Sequence, residues 1–92
     1  MTGRKPYHEA ADAVLVVEVS TADADKTVKV PLYARAGIAE LWIVEPEKGS
    51  VTRYRAPCPD GTRDEVRTVT EGHASPLFAP QIQISLTELF AT

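Results

Sequence analysis

Ala13-Val14-Leu15-Val16-Val17-Glu18-Val19 is the stretch on which the fold turns. A near-continuous β-branched run of this length reads as a strand covered on both faces, the mark of a central strand in an α/β layer fold. Its one carboxylate, Glu18, is the anomaly, because burying a charge without a partner is costly. Two readings account for it. Glu18 is ion-paired in the core with Lys29, or it is a metal-binding or catalytic residue.

Downstream, Ser20-Thr-Ala-Asp-Ala-Asp25 supplies helix N-cap candidates, with Asp25 or Asp23 preferred. The helix then runs to Gly37, which fits the C′ position that ends it. Val28, Leu32 and Ala36 recur every four residues and are expected to form its core face. Pro31 inside the span makes the first turn irregular or moves the regular start towards it. Residues 41–45 and 51–55 read as two strands of a hairpin turned by Pro46 to Gly49. Pro57-Cys58-Pro59-Asp60-Gly61 is a loop, residues 64–70 a polar exposed strand, and residues 81–84, Gln-Ile-Gln-Ile, a strand with one buried face. Ser85 with Glu88 is a capping box that opens a short helix over Leu86 to Phe90. Upstream, residues 1–11 contain Gly3 and Pro6 and no periodicity, so they read as an arm.

A chain of 92 residues allows one domain, and 43% hydrophobic with 25% charged residues is ordinary for a globular one. No apolar run approaches the ~20 residues of a membrane span. Met1 to Pro6 has basic residues with no apolar core behind them, so no signal peptide is expected and cytoplasm is the expected compartment. Cys58 has no second cysteine to pair with. The net charge of −3 does not suggest general nucleic-acid binding. It hides a segregation, however: residues 1–25 hold two basic and five acidic side chains, and residues 26–67 hold eight basic and six acidic. An acidic cluster beside a basic stretch suits a metal-dependent phosphodiesterase, but from charge alone an ordinary solvated surface is the better account.

His8 and His73 lie far apart with no further ligands at metal spacing, so no zinc site is expected, and His73 reads as a solvated turn residue. Trp42 reads as core. Arg53, Arg55, Arg63 and Arg67 suggest either a phosphate-facing strip or a solvated sheet face. Tyr33, one turn beyond Lys29, lines the same crevice or simply packs. No glycine-rich phosphate loop, serine elbow or CxxC pair is present.

Three blocks carry a resemblance: Asp12-x5-Glu18-Val19, then Asp25-x3-Lys29-Val-Pro-Leu-Tyr-Ala-Arg-Ala-Gly37-Ile, then Glu40-Leu-Trp42-Ile-Val-Glu-Pro46. Together they resemble the Uma2 family of the PD-(D/E)XK nuclease-like class. The Ser75-Pro-Leu stretch, Ile82-x-Ile84 and Leu86-x-x-Leu89-Phe90 have counterparts there too, so the resemblance spans residues 12–92. It implies a restriction-endonuclease-like α/β fold, a mixed sheet flanked by helices. It also implies a Mg2+-dependent endonuclease acting on DNA.

The chemistry explains the residue types. A hard divalent cation prefers carboxylate oxygens, and a lysine stabilises the negative charge that develops on phosphate. By the resemblance, Glu18 is a metal-binding and catalytic carboxylate, Lys29 the catalytic lysine moved onto the helix, and Asp12 a second metal ligand. Asp25 matches an acidic residue that opens the helix. The family's first metal carboxylate, in a Pro-Asp pair on an earlier strand, has no counterpart in this sequence, and neither does an early helical Glu. The Ser20–Asp25 connection is also shorter than the family's. The expectation is therefore a domain truncated at its N-terminus that lacks half of the family's catalytic site, with an active and an inactive nuclease both open on that account. The rival expectation is a non-catalytic interaction or oligomerisation module derived from the same fold.

Two geometric expectations follow. Glu18 and Lys29 should lie within the roughly 4–6 Å over which opposite charges perturb one another. A strand at 13–19 deprived of its neighbour should seek one from a second copy, giving a symmetric homodimer.

Overall fold

A computed structural model describes residues 14–20 and 23–91. The arm at 1–11, Asp12, Ala13 and the side chains of Asp23 and Asp25 lie outside the described residues. Within them the order is β1 (Val16–Val19), α1 (Asp23–Arg35), β2 (Glu40–Glu45), β3 (Ser50–Pro57), β4 (Arg63–Val69), β5 (His73–Ala74), β6 (Ile84–Ser85) and α2 (Leu86–Leu89). This is the mixed α/β sheet with helices that the resemblance implies.

The main sheet runs β1-β2-β3-β4, with β1 parallel to β2 and the other neighbours antiparallel. A parallel pair needs a crossover, and α1 supplies it. The antiparallel pair β2–β3 needs only the tight turn at 46–49, where Gly49 takes φ 61°. Gly37, at φ 78°, ends α1, and the amide of Ile38 reaches back to the Tyr33 carbonyl at 3.1 Å.

Side chains alternate across the sheet, so register assigns each to a face. Val16, Glu18, Leu41, Ile43, Glu45, Thr52 and Tyr54 share the face under α1. Val17, Val19, Trp42, Val44, Val51, Arg53, Arg67 and Val69 share the other. There β5, β6 and α2 close a core of Trp42, Val44, Val51, Ala74 and Leu86, flanked by Leu15, Val69, Ile84 and Phe90. Trp42 is core, as expected. Ser85 caps α2 by accepting from the Glu88 amide at 3.3 Å.

Five expectations change. The central strand, buried on both faces, is β2, where all six residues are buried. β1 is an edge strand among the described residues, and Val17 and Val19 are 52% and 65% exposed. A β-branched run alone does not say how many neighbours a strand has. The second change concerns α1: Val28 and Leu32 point outward at 66% and 57% exposure. Its inward face is Lys26, Lys29, Val30, Tyr33 and Ala34, a 3.6-period stripe that is largely polar because two strand carboxylates lie beneath it. The third change is at its start: α1 opens at Asp23, so Asp25 sits in the first turn instead of capping it. Finally, residues 81–83 are irregular and Ile82 is exposed, with pairing confined to Ile84 and Ser85 against His73 and Ala74. His73 is exposed, but in a strand.

Candidate functional site

Glu18 lies near the C-terminal end of β1, on the face that α1 crosses. Lys29 and Tyr33, one helical turn apart, both reach down to it. The Lys29 ammonium donates to Glu18 Oε1 at 2.9 Å, and the Tyr33 hydroxyl donates to Oε2 at 2.6 Å. The expected approach of Glu18 and Lys29 is met as a direct ion pair. Tyr33 is more than packing.

Tyr33 first, then Lys29, hold the Glu18 carboxyl below its ordinary range, against the burial that raises it. The same bond to an anion raises the Tyr33 phenol above its usual value. An ionised carboxylate offers about four lone-pair positions. Two are taken by Lys29 and Tyr33, which leaves one on each oxygen.

A second ion-paired carboxylate lies on the same face. Glu45 follows Ile43, the register partner of Glu18, by one pleat. Its side chain is only 8% exposed and is held by Lys26 at 2.7 Å and Lys48 at 3.2 Å. Lys26 and Lys29 thus tie one helix to two parallel strands. Sequence reasoning missed Glu45, although its place two residues past a buried isoleucine at the end of a strand is the signal that finds it.

Glu18 has the right oxygen chemistry and free lone pairs for a divalent cation, but among the described residues no group of three or more His, Cys, Asp or Glu could hold a metal. A Ca2+ or Mg2+ site takes about six oxygens. The described residues do not complete one, and Asp12 lies outside them.

The arginines divide. Arg55 donates to Glu40 Oε2 at 2.7 Å and to the Ser75 carbonyl at 2.8 Å, while Glu40 Oε1 accepts the Leu77 amide at 2.8 Å. Arg63 donates to the Ala39 and Tyr54 carbonyls at 3.3 and 3.2 Å. Arg55 is engaged by the fold, and Arg63 is engaged through Nη1 alone, its buried Nε and Nη2 having no partner. Arg53 and Arg67 share the face opposite Glu18. No strip of four forms. No helix among the described residues is long and apolar enough to cross a membrane.

A family model described as "Uma2: Putative restriction endonuclease" matches residues 2–87. A crystal structure described as a "putative nuclease belonging to DUF820", from Anabaena variabilis ATCC 29413, matches with a TM-score of 0.65 and 22% sequence identity. The match covers 84% of this chain and 43% of that one, so this chain spans less than half the length of its structural neighbour. At that identity the likeness speaks for the fold. No curated protein matches the chain.

Proposed function

Because the chain belongs to the Uma2 family, we propose that it is part of a Mg2+-dependent endonuclease that hydrolyses DNA phosphodiester bonds. The observation that carries this reading is Glu18, a strand carboxylate held by a lysine and a tyrosine from the crossover helix. In this reading Glu18 and Asp12 contribute oxygens to Mg2+, with the remaining donors outside the described residues. The bound ion would supply Lewis acidity at the phosphoryl group. Tyr33 fixes the orientation of the Glu18 carboxylate. Lys29 keeps a positive charge at the crevice, where it stabilises negative charge developing on phosphate. A cytoplasmic setting belongs to the same reading.

Cleavage of supercoiled DNA with Mg2+ or Mn2+ is the test. Wild-type chain is expected to nick or linearise it, and Glu18→Gln to lower the rate by about a hundredfold or more, the scale lost when a positioned catalytic group is removed. Cleavage that survives Glu18→Gln unchanged would remove Glu18 from the site. No cleavage by the wild type would favour the non-catalytic interaction module instead.

One observation favours a further element of this reading, a homodimer. Among the described residues the outer edge of β1 carries no strand, and Val14, Val17 and Val19 beside it are exposed. A second copy is the proposed occupant of that edge.

A further inference from the structure

Trp42, Arg53 and Arg67 stand side by side across β2, β3 and β4, because Trp42 pairs with Arg53 and Arg53 with Arg67. Like charges placed directly opposite one another weaken a ladder. No acidic side chain stands on this row, and the acids of the neighbouring row, Glu40 and Glu65, offset the charge of Arg53 only in part while both engage Arg55. Arg55, two residues along the same face, has Glu40 at 2.7 Å and Glu65 at 3.6 Å. No carboxylate of the described residues forms an ion pair with Arg53 or Arg67. The Nε of Arg53 and the indole Nε1 of Trp42 are buried and have no acceptor. Burial first, then the charges of Arg55 and Arg67, lower the Arg53 pKa, and Glu40 and Glu65 recover only part of that. A site with donors in excess and acceptors missing lacks an anion.

We propose that Arg53 and Arg67 bind a phosphate of a nucleic-acid backbone, on the face of the sheet opposite Glu18. Two guanidinium forks match the two anionic oxygens of a phosphodiester, and fork-to-oxyanion bonds are the strong charge-assisted kind. The half-buried stem of Arg53 fixes the height of its head above the sheet, while Arg67 is exposed on the edge strand β4. That makes an open contact for a large polyanion, not a closed cradle for a small one. Because Glu18 faces the other way, the contact positions the polynucleotide and does not touch the bond to be cut. The inference rests on the nucleic-acid reading above, and it adds the surface on which the chain holds its substrate.

The test is fluorescence anisotropy of the full chain with a labelled duplex of about 20 base pairs, over salt from about 50 to 200 mM. Arg67→Gln, an exposed change that leaves the fold in place, is expected to weaken binding several-fold and to lower the log–log salt slope by about one. Arg53→Lys keeps the charge and its buried stem, so it is expected to keep the slope yet weaken binding by losing the fork. Wild-type affinity and slope in both variants would overturn this inference and leave the nuclease reading standing. Failure of the wild type to bind at the lowest salt would sink both. Binding with the expected losses but no cleavage would support this site and count against catalysis.

Discussion

Gly61 sits at φ 92°, and a Cβ added there would lie 3.0 Å from the guanidinium of Arg35. It closes the loop in which its amide donates to the Cys58 carbonyl at 3.0 Å and the Thr62 carbonyl accepts from the Cys58 amide at 2.8 Å. Gly61→Ala therefore forces a side chain into the left-handed region and displaces Arg35, at a cost of about 1–2 kcal/mol or more. The melting temperature should fall by about 4–8 °C for each kcal/mol in a domain of this size. An unchanged melting temperature would show that the loop relaxes freely. At this scale the sequence was most readable at Glu18, since a carboxylate inside a β-branched run demands a partner, and Lys29 was a basic residue on the helix that follows. Tyr33 was less readable. A helical aromatic is commonly packing, and only the height of Glu18 above the sheet turns its hydroxyl into a donor.

Helix α1 is fastened to the sheet through ion pairs at Glu18 and Glu45 as well as through Val30 and Ala34. That is why apolar spacing misjudged it: Val28 and Leu32 repeat correctly for a helix, but the stripe that meets the strands carries two lysines. The consequence is a pH dependence. Lys26, the largest cause, and Lys48 lower the pKa of Glu45 from its ordinary 4.5. A carboxylate whose folded pKa is depressed stabilises the fold above its unfolded pKa and loses that contribution as pH falls through the folded value. Urea midpoints should thus be level near neutral pH and decline below about pH 4.5. Glu45→Gln should be less stable at neutral pH and show a shallower decline. Identical pH profiles for the variant and the wild type would contradict the fastening. The strand errors have a related cause. β1 and β2 have similar composition, and which of them gains a second neighbour is decided by chain pairing far away in sequence.

Ten large apolar side chains are exposed among the described residues, including Val14, Val17 and Val19 on or beside the open edge of β1. A row of unpaired backbone groups next to such side chains recruits another strand. Light scattering at micromolar concentration should report a dimer, and Val17→Lys with Val19→Lys, on exposed positions, should return a monomer that keeps its melting cooperativity. A wild-type monomer would remove the homodimer from the reading. The layers of the molecule also come from opposite ends of the described chain. α1 covers one face soon after β1 is made, whereas the Trp42 face waits for Leu86 and Phe90. A chain leaving the ribosome N-terminus first can form α1 and the β2–β3 hairpin early, but half of its core stays uncovered until α2 emerges. The Trp42 side is therefore the later of the two layers to close, and whatever protects a newborn polypeptide acts longest there.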